Sequence, residues 1–174
     1  WVQEGSTSTK KVYKALISQS GTSSFVPITS GVLTPGVTYQ IVSYNPGDDF
    51  TNVGATGNAS GNLFVAKGIT PSSWTASSTL GYDPGVPVTY ELENTCGNVY
   101  FQYDLQGDYS IIFPMNIDVE KTYYSTTDNL GAGNTIKMYN PLSGYSLKIT
   151  TYDSTFTALD NLLSYTPISI EIYQ

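Results

Sequence analysis

Asp48 and Asp49, side by side in Y-N-P-G-D-D-F-T-N, are the residues whose types come nearest to doing chemistry in this chain. Two carboxylates can divide acid and base work, as they do on either side of a scissile glycosidic bond. Adjacent acids at a turn more often accept the free N–H groups that open a helix, and that capping role is the one expected for this pair. Asn45, Asp48, Asp49 and Asn52 also offer oxygen ligands for calcium, but their spacing departs from the D-x-[DN]-x-[DN]-G loop. Asp104 and Asp108 flank Gly107 and read as hairpin-turn residues that could lend an oxygen to such a site. The chain has no His, which removes the Ser-His-Asp and Cys-His arrangements. Its one cysteine, Cys96 in N-T-C-G-N, lacks the cationic neighbour that a reactive thiol needs. It reads as a small, partly buried turn residue. One Cys without His cannot build a zinc site. No catalytic residue, cofactor or firm metal site is therefore expected.

The element that positions the acid pair runs from Thr38 to Trp74. An extended run over Thr38 to Tyr44 breaks at Asn45-Pro46-Gly47, a turn signal. One short helical turn is expected over Phe50 to Val53, ended by Gly54, with a second extended run from Asn62 to Lys67. Trp74 is then free to close over both strands. Asn58-Ala59-Ser60 matches the glycosylation triplet and marks an exposed loop.

This stretch, Y-x-I-x-x-Y-x-x-G-D-D-F-T-N-V-G-A followed by F-V-A-x-G-x-T-P-x-S-W-T, resembles a recurring segment of tailed-bacteriophage virion structural proteins, mostly fibre-like, tail or head-surface proteins. The residues that carry the resemblance are Tyr39, Ile41, Tyr44 and Gly47 to Ala55, with Asp48, Asp49, Phe50, Asn52 and Gly54 in that run, then Phe64 to Ala66, Gly68, Thr70, Pro71 and Ser73 to Thr75, Trp74 among them. The flanks V-Y-K-A-L-I-S-Q-S-G-T and P-I-S-I-E-I-Y look like other modules associated with phage fibres. The resemblance implies a non-enzymatic structural role on the virion surface, other virion proteins as partners, and a homotrimer.

Elsewhere the pattern alternates with a period of two. Tyr13, Ala15 and Ile17 share a face, as do Val86, Val88, Tyr90 and Leu92. Val99, Phe101 and Tyr103 alternate with Gln102 and Asp104, and Tyr109, Ile111 and Phe113 follow the Gly107 turn. Val119, Lys121 and Tyr123 continue more weakly. Ile136 and Met138 follow a glycine turn at Gly131 to Asn134. Asn140-Pro141 and Ser143-Gly144 form another turn before Tyr145, Leu147, Ile149 and Thr151. One helical turn is expected at Leu159 to Leu163, and Ile168, Ile170 and Ile172 close the chain on one face. Short alternating runs with turns between them predict an all-β fold, an antiparallel β-sandwich of jelly-roll type. A small β subdomain is inserted in it. The expected division is a linker over 1–10, the sandwich over 11–29 and 85–174, and the insert over 30–84, with Pro27 pushing the strand at Phe25 to Ile28 toward an edge. The chain opens on Trp1, and further chain is expected upstream of it.

Charge is scarce. Asp, Glu, Lys and Arg make up 12% of the 174 residues, against roughly 25% in ordinary domains. The net charge of −7 argues against nucleic acid, whose phosphates require clustered cations, and against an anionic membrane surface. No apolar run of about 18 residues predicts a membrane span. Seven lysines must guard about ten predicted strands, and sheet edges commonly rely on such charges. A neighbouring copy is therefore expected to cover them. Outward tyrosines such as Tyr100 and Tyr173 are the candidates for a subunit interface or for stacking on host glycans. The alternative expectation is a carbohydrate-binding sandwich of a secreted bacterial protein. A glycan depolymerase is the weakest reading, because turn-borne acids do not converge on a cleft.

Overall fold

The computed structural model describes residues 9–127, 129–139 and 144–174. The linker expected over the first ten residues, up to residue 8, and the turn at 140–143 lie outside the described residues.

Branched side chains on alternate residues of the last strand build the larger core. In β13 (Thr166–Tyr173), Ile168, Ile170 and Ile172 are buried, while Pro167, Ser169, Glu171 and Tyr173 face outward. Strand β1 (Lys10–Ser18) lies antiparallel beside it and sets Tyr13 opposite Ile170 and Ala15 opposite Ile168. With β6 (Val88–Asn94) and β9 (Thr122–Thr126) these form one sheet in the order β6-β1-β13-β9.

A second sheet joins β10 (Asn129–Gly131), β11 (Asn134–Tyr139), β12 (Ser146–Tyr152), β8 (Asp108–Ile112) and β7 (Tyr100–Leu105) in that spatial order. Its inward residues, Phe101, Tyr109, Ile111, Ile136, Leu147 and Ile149, share one buried cluster with Tyr13, Ile17 and the three isoleucines of β13. Apolar rows on two sheets facing across one core make a sandwich.

The third sheet, β2 (Val26–Ile28), β5 (Thr79–Tyr82), β3 (Thr38–Ser43) and β4 (Leu63–Val65) in spatial order, has a core of its own. That core contains Leu33, Tyr39, Ile41, Phe50, Val53, Phe64 and Leu80. All registered strand pairs are antiparallel, and two 3-10 turns are the sole helical elements among the described residues, so the fold is all-β.

Several expectations need correction. The strand Val26–Ile28, assigned by sequence to the sandwich, pairs with β5 in the third sheet. Pro27 has no N–H to give a second neighbour, and β2 is that sheet's edge. Val88, Tyr90 and Leu92 do share a face, but it is the outer one, and they are 37%, 66% and 59% exposed. The register with β1 places Thr89 opposite Ile17 and Glu91 opposite Ala15, so the two polar residues lie on the inward side. Residues Val119–Lys121 form a 3-10 turn, with the Asp118 carboxylate accepting from Glu120 N–H at 3.0 Å. The segment Leu159 to Leu163 is not helical. Asn161 there has φ 63°, a left-handed value that interrupts helical hydrogen bonding. Tyr145 precedes β12 and is 60% exposed.

Ile170 is fully buried between the sheets. Replacing it with Asp forfeits about 2–3 kcal/mol of apolar burial and adds several kcal/mol for a buried charge. Whole-domain stability is about 5–15 kcal/mol. Ile170→Asp is expected to give insoluble or unfolded protein, and circular dichroism on a soluble, normally melting variant would contradict this.

Candidate functional site

Asp48 and Asp49 leave the same turn in different directions. Gly47, with φ 111°, allows the turn that brings Asp48 N–H to the Asn45 carbonyl at 3.3 Å. The Asp48 side chain then enters the protein, where it is 2% exposed. One oxygen accepts from the N–H groups of Thr75 at 2.5 Å and Ala76 at 2.7 Å, the other from Ser78 N–H at 2.9 Å. Burial acts to raise its pKa, but these donors from Ala76, Ser78 and Thr75 outweigh burial and hold it down at about 2. Asp48 therefore ties down a loop 27 to 30 residues further along the chain, and caps no helix.

Asp49 does the local work. Its Oδ1 accepts from Asn58 Nδ2 at 2.9 Å, from Thr51 N–H at 2.9 Å and from the Thr51 hydroxyl at 2.7 Å. The Asn58 amide and then the two Thr51 groups hold its pKa below the usual carboxylate range. Asn58 also accepts from Phe50 N–H at 3.0 Å. It is half-buried with both ends of its amide engaged, and only its neighbours Ala59 and Ser60 fit the exposed loop expected there.

The rest of the segment has equally specific structural duties. Phe50 is fully buried, and Trp74 meets it edge-on at 5.4 Å while donating from Nε1 to the Ser78 carbonyl at 2.8 Å. Asn52 bridges to Thr70 and Ser72, donating to one carbonyl at 2.9 Å and accepting one N–H at 2.8 Å. Gly54 ends the 3-10 turn Thr51–Val53 with φ 117°, and a Cβ there would sit 2.5 Å from the Val65 carbonyl. Tyr39 is buried, accepts from Thr34 N–H at 3.1 Å and packs against Phe64 and Tyr82. Tyr44 is half-buried, and its N–H donates to the Ser60 hydroxyl at 2.9 Å.

Among the described residues, no group of three or more His, Cys, Asp or Glu is placed to hold a metal. The donors around Asp48 are N–H groups, which attract an anion and repel a cation. Cys96 is buried, and burial pushes its thiol up to about 11 against a smaller lowering effect of Lys11. Asp104 accepts from Ser110 and Lys148, and Asp108 from Thr150.

Asp160 has a role that its sequence context does not announce. It is 7% exposed and accepts from Gly107 N–H at 2.6 Å, Tyr109 hydroxyl at 2.9 Å and Tyr103 hydroxyl at 3.0 Å. Burial first, and then Asp160, push the Tyr103 hydroxyl up to about 12. The only signal was an acid between leucines in A-L-D-N-L-L, a pattern shared by many helix faces.

Several clefts lie along the described residues, and two of them differ sharply in width. The wider, about 650 Å³, lies between β9 and β11 and is lined in part by Tyr124, Lys137, Tyr139 and Tyr152. The Lys137 ammonium sits 5.5 Å from the centre of the Tyr152 ring. The narrower, about 160 Å³, lies where the third sheet meets β7, and Tyr100 is on its wall. Tyr173 is elsewhere, its hydroxyl on Glu171 at 3.1 Å and its ring edge-on to Tyr123 at 5.7 Å. The two outward tyrosines thus do not share a site.

Comparison of the chain with protein-family models, with curated proteins and with solved structures gave no match.

Asp48→Ala would leave three buried or part-buried N–H groups unpaired, at about 1–3 kcal/mol each, and a drop of several kcal/mol in urea unfolding is expected. The folded carboxyl titrates near 2, below an unfolded value of about 3.9. Its stabilisation is therefore complete above about pH 4 and lost as pH falls toward 2. Acid unfolding of Asp48→Asn should be less steep across that window than that of the native protein. Equal slopes would contradict the assignment.

Proposed function

We propose that this chain is a non-enzymatic structural module of a tailed-bacteriophage particle, a fibre, tail or surface-decoration piece that acts by packing against further protein and by contributing to host attachment. The observation that carries this reading is the outer face of β6. Val88, Tyr90 and Leu92 are well exposed on a strand at the edge of its sheet. Contiguous apolar side chains at an edge mark an interaction surface.

Two further observations support it. Lys10, Lys14, Lys67, Lys121 and Lys148 pair with Glu171, Glu93, Glu91, Asp118 and Asp104, which leaves few cations to repel a neighbour from the edges. In the acid pair, both oxygens of Asp48 are taken by the chain's own N–H groups, and Oδ1 of Asp49 by Thr51 and Asn58. The residues from Tyr39 to Thr75 add the resemblance to virion proteins, and the number three for the oligomer rests on that resemblance alone. A second reading, a carbohydrate-binding module of a secreted bacterial protein, is favoured by the aromatic cleft at Tyr100.

Light scattering at micromolar concentration should give a small multiple of the 18.8 kDa chain mass. Tyr90→Lys combined with Leu92→Lys should shift it to one chain without changing the melting temperature by more than a few degrees, since both side chains are exposed. A clean monomer for the native protein would reject the assembly reading.

A further inference from the structure

We infer that the narrow cleft between the third sheet and β7 binds one neutral pyranose ring of a glycan. This deepens the attachment part of the proposed function and rests on that part alone.

Gly81 shapes one wall of the cleft. A Cβ there would come within 2.0 Å of the Phe25 ring, so the absence of a side chain lets the ring lie against the β5 backbone. Phe25 is held there while remaining 54% exposed. An aromatic ring fixed by backbone contact and open on its other side can stack on the C–H face of a sugar. Tyr100 stands on the facing wall, on the edge strand of the five-stranded sheet.

Polar groups without partners line the same space. Thr38 is 6% exposed, and its hydroxyl has no hydrogen-bond partner. A buried unpaired hydroxyl is costly unless something pairs with it. Thr38 and Gln40 alternate with the inward residues Tyr39 and Ile41, so both sit on the face of β3 turned away from that sheet's own core. Gln102 approaches from β7, its amide making only a long 3.3 Å contact with Asp104. A side-chain amide offers a donor and an acceptor side by side, which matches adjacent sugar hydroxyls.

Charge and size narrow the ligand. No lysine lines the cleft. Its one carboxylate, Asp83, is occupied by the Ser23 hydroxyl at 2.6 Å and the N–H groups of Ser24 at 3.0 Å and Gly85 at 2.8 Å. An acidic sugar would find no counter-charge there. The volume of about 160 Å³ is well below the roughly 300–1,000 Å³ of sites for drug-sized ligands, and suits a single ring.

The test is saturation-transfer NMR on the whole chain with methyl glucoside, methyl galactoside, N-acetylglucosamine and glucuronate, each at millimolar concentration. Saturation of at least one neutral sugar is expected, and little of glucuronate. Phe25→Ala and Gln40→Leu should each weaken the signal about tenfold with melting temperatures near that of the native protein. Tyr173→Ala, on another surface, should leave it unchanged. Absence of saturation for all three neutral sugars, equal binding by both cleft variants, or a preference for glucuronate would overturn the inference. A chain that forms oligomers and takes no sugar would keep the assembly reading and lose this one.

Discussion

Backbone N–H groups that no strand can pair must find acceptors elsewhere, and in this chain carboxylates supply many of them, beside amide and hydroxyl oxygens such as those of Asn58, Asn52 and Ser60. Among the described residues, six aspartates do so. Asp48 serves Thr75, Ala76 and Ser78; Asp49 serves Thr51; Asp83 serves Ser24 and Gly85; Asp118 serves Glu120; Asp153 serves Thr155 and Thr157; Asp160 serves Gly107. This gives a physical role to the excess of fourteen acids over seven lysines. The strands are short, the loops between them are long, and a charged acceptor makes a stronger hydrogen bond than a neutral one. Part of the acidity of this chain thus holds irregular backbone in place.

The same constraint explains how the third sheet meets the sandwich. Their junction is polar and uses main chain. Thr89 N–H donates to the Gly36 carbonyl at 2.8 Å, Asn98 Nδ2 to the Leu63 carbonyl at 3.1 Å, and Lys67 pairs with Glu91 at 3.4 Å. Gly36 has φ 85°, and a Cβ there would fall 2.3 Å from the Thr89 carbonyl. Two separately filled cores are thus joined by directional contacts, which leave a cleft between them. Sites between packed units commonly arise in this way.

Much of the fold was legible. Alternation identified the inward faces of β1, β7, β8, β12 and β13, because burial on one face imposes a period of two. It failed at β6, where it showed that Val88, Tyr90 and Leu92 lie together but not that they look outward. Orientation there is decided by the neighbouring strand's register, a long-range fact. The partner of β2 was illegible for the same reason, since Pro27 announces an edge without saying of which sheet. In the acid segment, Gly54 was readable because only a left-handed residue ends that turn. Asp48 was misread as a cap because its partners lie about thirty residues downstream. Asp160 left no periodic trace, and the leucines around it imitated a helix that Asn161 does not permit.

The Gly36 carbonyl on Thr89 has a consequence for how copies of this chain can meet. An unoccupied strand edge recruits another strand, and each addition creates a fresh edge, so growth along it has no natural stop. Here the insert already occupies one of the hydrogen-bonding positions on the outer side of β6. In the assembly proposed above, a second copy would meet the strand's flat apolar face rather than this part of its rim. Surfaces that meet around a rotation axis return to their starting point and finish at a fixed number, so the insert would remove one route to open-ended growth.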